Sequence, residues 1–401
     1  MNIVLINQFF PPSQAPTGVL LSDLAGELVR RGHVVTVITS VAGCGVEAGA
    51  PAGAAGGVRV IRVGPGGSHS SGLWAKLGDY GSFFRRAVGE LSRLPERPDV
   101  LVCMTTPPFC GRIGARLRKR QGIPYVLWCM DLYPEALSAH GLFRPSHPVY
   151  RGLLRLSRGE RERASAVITL GPDMSSRVHA SAPKAQVEEI PVWSHLTSTP
   201  EALAGAKRLR RQRDWADDEL ILMYSGNMGR AHRAEDFAGL ARILREKKVH
   251  ARVVMSGAGP RRAEWERLGS GHFEFIPAAT DTACAAHLLS ADIHLVSQRP
   301  EWTGLVVPSK FQAACALGRP VIYTGPPHSA IGLWIQDAEA GWVIPPGEAR
   351  AMEPVVKDLQ DREVCRIKGV KARRLFEDRF SFDVNCARLC DLLETTGRVQ
   401  L

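Results

Sequence analysis

Short apolar runs alternate with amphipathic stretches through the first half of the chain. NIVLIN (2–7) is a continuous apolar run of the kind that forms a strand buried on both faces. After the loop 8–18, residues 19–32 place Leu20, Leu21, Leu24 and Leu28 on one helical face, and Gly32 is a helix stop. VVTVI (34–38) completes a βαβ unit. The alternation continues with strands predicted at 58–63, 99–104, 123–128 and 166–170, and the pattern runs to VEEIPVW (187–193). Helices are predicted at 73–94, 109–121 and about 147–163. The Gly- and Ala-rich stretch 41–57 is expected to be a surface loop.

A polar, strongly charged stretch, 194–217, interrupts this pattern, and a second series follows. Strands are predicted at 219–225, 251–256, 272–276, 292–297, 320–324 and 341–345, with helices between them, among them 234–247. The expected fold class is α/β, two successive doubly wound parallel-sheet domains. Their boundaries are 1–193 and 218–380, joined by a junction at 194–217 and followed by a last helix within 381–401. Ligands of such sheets bind beyond the carboxyl ends of the strands, which makes a cleft between two facing sheets the expected site.

Composition adds exclusions. With 45% hydrophobic and 23% charged residues over 401 positions, global disorder is ruled out. No apolar run is long enough to span a bilayer, and no secretory leader is visible, so a cytoplasmic location is expected. The nine cysteines form no CxxC pair and mostly sit in apolar stretches, as free buried thiols do. The net charge of +11 is uneven. Residues 1–190 carry 22 Lys and Arg against 14 Asp and Glu, with basic tracts at 112–120 and 151–163. That half is expected either to meet an anionic partner or simply to present solvated helix faces. GxGxxG after the first strand, metal-ligand clusters, GxSxG and nucleic-acid modules are all missing.

The candidate chemistry lies in strand-to-helix loops. Thr17-Gly18 precedes the first predicted helix, where a glycine lets a ligand approach backbone amides. YSGNMGRAHR (224–233) joins Gly226 and Asn227 to Arg230, His232 and Arg233 before a helix. Cations there are disfavoured by the helix dipole unless an anion binds between them. EWTGLVVPSKF (301–311) offers Glu301, Gly304 and Leu305, with Ser309 as an N-cap and Lys310 in the first turn. SGAGP adds Gly257 and Gly259, and three such loops in one half point to a phosphate-bearing nucleotide. In the first half, Asp131 directly follows a strand, with Glu135 four residues on. Either could bind hydroxyls or act as a base.

These stretches, in this order, resemble bacterial family 4 glycosyltransferases of O-antigen, capsule and exopolysaccharide synthesis. The resemblance is carried by NIVLINQFFPP…TGVLLSDLAGELVRRGHVVTVIT, WCMDLYPE, YSGNMGRAH, VVMSGAGP, GLVVPSKFQAACALGRPVI and AGWVIPPGE. It implies the GT-B architecture, two Rossmann-like domains facing across a cleft. It also implies retaining, metal-independent transfer from a nucleotide sugar, most commonly uridine-linked, with no cofactor. The acceptor would be a glycan or polyprenyl-diphosphate-linked acceptor, reached from an anionic membrane surface, with no nucleic acid involved. The last helix, about 381–395, would cross back to the first domain. Carried over by position, Gly18, Gly226, Asn227, His232, Gly257, Gly259, Glu301, Gly304, Leu305 and Ser309 would line the donor site, and Asp131 the acceptor side. The chain departs from the family pattern at Asn227 and His232, where an Arg and a Lys usually grip the diphosphate, so that grip would have moved to Arg230 and Lys310. Of the usual pair of Glu eight apart, the slots counted back from Gly318 are Leu305 and Ala313, and counted from Glu301 the second is Ser309, so one Glu is missing either way. Met130 replaces a usual His. A sugar-nucleotide epimerase of the same architecture and a non-catalytic nucleotide-sugar-binding scaffold stay open as alternatives.

Overall fold

A computed structural model describes residues 1–41, 54–64, 73–280 and 283–398. The chain forms two compact units, Met1–Pro191 with Asn385–Leu401, and Val192–Val384. The first contains β1 (Asn2–Ile6), α1 (Pro16–Arg30), β2 (Val34–Ser40), β3 (Ala54–Ala55), β4 (Val58–Val63), α2 (Leu73–Leu91) and β5 (Val100–Met104). These are followed by α3 (Gly111–Gln121), β6 (Tyr125–Trp128), α4 (Glu135–Ala139), α5 (Pro148–Arg163), β7 (Ala166–Thr169), α6 (Pro172–Ser181) and β8 (Val187–Glu189). Its sheet order is β3-β4-β2-β1-β5-β6-β7-β8, parallel except for β3. Strands β1, β5, β6 and β7 are buried almost along their whole length, which is why they read as continuous apolar runs.

The second unit contains α7 (Pro200–Gln212), β9 (Leu220–Ser225), α8 (Glu235–Glu246), β10 (Ala251–Ser256), α9 (Arg262–Leu268), β11 (Phe273–Ile276), α10 (Cys284–Leu289) and β12 (Ile293–Ser297). It continues with α11 (Lys310–Ala316), β13 (Val321–Thr324), α12 (Ala330–Ala338), β14 (Gly341–Ile344), α13 (Met352–Leu359) and α14 (Arg362–Arg379). Its all-parallel sheet has the order β11-β10-β9-β12-β13-β14. The final helix, α15 (Phe382–Arg398), starts in the second unit and runs into the first. There Arg31 bonds Asp391 at 2.6 Å and Glu394 at 3.3 Å, and Gly397 packs on Met1.

Some boundaries differ from expectation for local reasons. Most of the predicted loop 41–57 lies outside the described residues, but Ala54 and Ala55 pair antiparallel with β4. Within 187–193 the structure forms a short strand, β8, that stops at Glu189, because Pro191 has no N–H to extend the ladder. Residues 200–212, within the expected junction, form α7, whose Thr199 cap accepts from Ala202 N at 3.2 Å. Ala206 of α7 packs with Leu288, Leu289 and Leu317 of the second unit. The described cysteines are free thiols, all but Cys284 buried.

Arg161 shows how the first unit carries charge inside. Only 2% exposed, its guanidinium holds both Glu135 carboxylate oxygens, at 2.7 and 3.0 Å, with Ser181 Oγ at 2.6 Å and Tyr133 O at 3.0 Å. Glu135 is therefore a structural partner, and the base considered for it from sequence is corrected. Arg161→Ala strands that carboxylate, and chemical denaturation is expected to show a loss of about 3–5 kcal/mol.

Candidate functional site

The second sheet reverses its strand order between β9 and β12, the switch point where ligands of this topology bind. The segments leaving those two strands are stitched together. His232 Nδ1 donates to Ser297 O at 2.6 Å, Arg233 N to Ser297 Oγ at 3.0 Å, and Arg299 N to Ala231 O at 2.8 Å. Arg261 and Arg299 both donate to the His232 carbonyl, at 2.7 and 3.1 Å.

Lys310 lies at this seam. The residue as a whole is partly exposed, but its ammonium is enclosed. It donates to Tyr224 Oη at 3.0 Å and to His232 Nε2 at 3.2 Å, and sits 4.5 Å from the Tyr224 ring centre. Proton bookkeeping orders the cluster. Tyr224 Oη donates to Asn227 O at 2.6 Å, so it accepts from Lys310. His232 gives its Nδ1 proton to Ser297 O, so Nε2 is the acceptor. Burial and the neighbouring lysine push the His232 pKa down to about 3 and keep the ring neutral. Burial pushes Lys310 down to about 7. An ammonium has three donors, and only two are used among the described residues.

The glycines make room for this arrangement. A Cβ on Gly226, at φ +129°, would meet Lys310 Cε at 3.1 Å. One on Gly257 would lie 2.2 Å from Gly226 O, and one on Gly259 2.5 Å from Asn227 Oδ1. Gly226 N and Met228 N already donate to Ser256 O and Ala258 O. The glycine loops thus pack backbone on backbone, and the amides of Gly226, Met228 and Gly257 are spent within the fold rather than offered to a phosphate.

The expectation of unbalanced cations before α8 is corrected too. Arg233 pairs with Asp236 at 2.7 Å, and Arg299 with Glu235 at 3.1 Å, so acids of the first helical turn already balance that end. Arg230 is exposed on the turn before α8. Glu301 is exposed in a short 3-10 turn, and Gly304 turns at φ +70°. The Leu305 side chain is buried and its N–H is spent on Trp302 O at 3.0 Å. Ser309 precedes α11 but its hydroxyl caps no helix amide, because its backbone is already helical.

Two predicted residues belong to the first unit. α1 begins at Pro16, so Gly18 lies inside the first turn rather than before the helix, and its N–H bonds Ala15 O at 2.8 Å. A Cβ there would crowd the Phe9–Phe10 backbone at 3.1 Å, a packing reason for this glycine. Asp131 follows β6, where its N–H and that of Met130 donate to Thr105 Oγ1. Burial raises its carboxyl to about 6.

Tyr224, Glu235 and Asp236 were not singled out from sequence. The acids were legible, since carboxylates in a first turn complement the dipole. Tyr224 looked like one more apolar strand residue.

Two units, each a doubly wound sheet, are the architecture of GT-B glycosyltransferases, and solved structures agree. A sucrose-phosphate synthase from Thermosynechococcus elongatus aligns over 98% of both chains with TM-score 0.75 at 17% identity. WaaG, a glycosyltransferase involved in lipopolysaccharide biosynthesis, aligns over 98% of this chain and 99% of its own with TM-score 0.69 at 17% identity. At such identities the likeness is one of fold. The model of the glycosyl transferase 4-like domain matches residues 17–193, and that of the glycosyl transferases group 1 matches 219–361. Between them these two glycosyltransferase models match most of the chain, which identifies it as a glycosyltransferase. Among its relatives, a protein named for colanic acid biosynthesis glycosyl transfer, WcaI of Escherichia coli K12, is 26% identical over 59% of this chain and 60% of its own. The glycosyltransferase WbjE of Pseudomonas aeruginosa is 22% identical over 73% of each. The chain thus spans less than two thirds of the first relative's length and more of the second's.

The lowered Lys310 pKa has a signed consequence. The unfolded chain keeps this proton to about 10.5 and the fold releases it near 7. Lys310 therefore makes the unliganded fold more stable as pH rises from about 7 to about 10. An anion at its unused donor restores the charge. Affinity for a nucleoside diphosphate is expected to fall from about pH 7 to 9, with proton uptake in calorimetry across buffers of different ionisation enthalpy. Lys310→Met should abolish both effects. A flat profile in the unaltered protein would remove Lys310 from anion binding.

Proposed function

We propose that the protein transfers a sugar from a nucleoside diphosphate, in the first instance uridine diphosphate, to a hydroxyl of a glycan or polyprenyl-diphosphate-linked acceptor. The transfer serves cell-surface polysaccharide synthesis, retains the anomeric configuration and needs no bound metal. The polysaccharide setting is supported by the relatives' names. The chemistry rests on one observation, an enclosed ammonium at the switch point with a donor to spare.

In this reading Lys310, helped by Arg230, meets the charge that develops on the diphosphate as the C1–O bond breaks. The acceptor oxygen bonds C1 on the face the leaving group vacates, and its proton passes to the departing phosphate. Neutral His232 and Tyr224 orient Lys310. Glu301, Gly304 and Leu305 border the donor sugar or ribose, and Asp131 is the acceptor-side group.

The protein is proposed to work at the inner face of a membrane. A groove of about 890 Å³ between α2, α3 and α5 is rimmed by Arg85, Arg112, Arg116, Lys119, Arg120 and Arg163. Nearby on α5, Val149 and Leu156 are exposed. Cations flanking exposed apolar side chains suit an anionic lipid surface.

Thermal denaturation with UDP, GDP, ADP, TDP and CDP, with and without magnesium, tests the donor. One of them at 100 times its Kd should add about 2.7 kcal/mol of stability, independently of metal. Lys310→Ala should cut turnover more than tenfold with folding intact. Silence across the panel in folded protein would favour the scaffold alternative. Binding to phosphatidylglycerol vesicles is expected at low salt and should be lost in Arg116→Glu/Arg120→Glu. Absence of binding at low salt would sink the membrane assignment.

A further inference from the structure

We propose that Gln298 is a positioning residue that sets the donor-sugar loop, acting through the backbone of residues 302–306. This rests on that loop bordering the donor, as proposed above.

Gln298 immediately follows β12 and is 1% exposed. A buried amide must find partners, and each of those found here has structural consequences. Its Nε2 lies 3.0 Å from both Trp302 O and Val306 O. Carbonyls only accept, so the NH2 faces the loop and Oε1 faces away. There Oε1 accepts from Tyr323 Oη at 2.8 Å. Tyr323 Oη also lies 2.7 Å from Ser329 Oγ. Ser329 Oγ gives its one proton to Pro326 O at 2.7 Å, accepts from Gly332 N and caps α12. A directed chain therefore runs from Tyr323 through Gln298 to two loop carbonyls, each bond polarising the next.

The two carbonyls bracket Thr303, Gly304 and Leu305. Within the bracket Gly304 takes φ +70° and Leu305 N closes on Trp302 O at 3.0 Å. One side chain thus pulls both ends of the turn toward the sheet. A Cβ on Gly325 would stand 2.3 Å from Tyr323 Cζ and Oη, so that glycine leaves room for the ring that donates to Gln298. The Lys310 cluster meets this stretch at the backbone, where His232 donates to Ser297 O, while the Gln298 side chain bonds Trp302 O, Val306 O and Tyr323 Oη. A change confined to the Gln298 side chain is therefore expected to act on the sugar contacts first.

Calorimetry with the nucleoside diphosphate that stabilises the unaltered protein, and with its glucose and N-acetylglucosamine esters, tests this. Gln298→Met keeps the volume and removes the hydrogen bonds. It is expected to weaken the sugar ester at least tenfold while the bare diphosphate stays within twofold. Tyr323→Phe, which removes one oxygen, should give a smaller loss of the same kind, and the double variant should be no worse than Gln298→Met alone. If Gln298→Met fails to fold, Tyr323→Phe alone decides. Equal weakening of diphosphate and ester, or no weakening of either, overturns the proposal. Unaltered protein that binds no nucleoside diphosphate overturns the function itself.

Discussion

Enclosing an ammonium group removes its hydration, and a protein offsets the loss only by placing acceptors around it. At Lys310 the acceptors are neutral, an imidazole nitrogen and a phenol oxygen. Neither could serve if its own proton pointed inward, and each is turned away by a backbone carbonyl, Ser297 O for His232 and Asn227 O for Tyr224. Those carbonyls are held by the seam between β9 and β12, and the space for the lysine stem exists because Gly226 has no side chain. The parallel register, the glycine loops and the ring tautomer all serve one undercompensated charge. Its third donor is left unspent among the described residues.

This arrangement gives the departures from the family pattern a shared physical sense. A lysine at position 232 would put a second cation beside Lys310, whereas a neutral histidine gives it an acceptor. Lys310 itself stands on α11 and reaches Tyr224 and His232 from the other side of the switch point.

The sheets were legible because parallel strands buried on both faces leave unbroken apolar runs, as in VLVCM and LILMY. Lys310 was legible because a cation in a first helical turn conflicts with the dipole. The same rule misled at Arg233, where Asp236, three residues on, settles the conflict locally. Glycines invited a phosphate assignment at Gly257 and Gly259, yet their missing Cβ atoms admit neighbouring backbone. One-dimensional spacing cannot tell a glycine cleared for a ligand from one cleared for another loop. Gln298 and Tyr323 carried no signal at all, since their roles exist only once β12 and β13 lie side by side.

The course of α15 bears on how the molecule comes into being. The first unit is completed by residues 385–401, whose Cys386, Leu389, Cys390 and Leu393 are buried and whose acids engage Arg31 and His33. On the ribosome, those residues emerge only after the whole second unit has been made. The half whose synthesis starts first must wait, with the surface around Met1 and Arg31 uncovered, for a segment that lies beyond the second unit in the chain. Its folding is thereby tied to synthesis of its neighbour rather than to its own length.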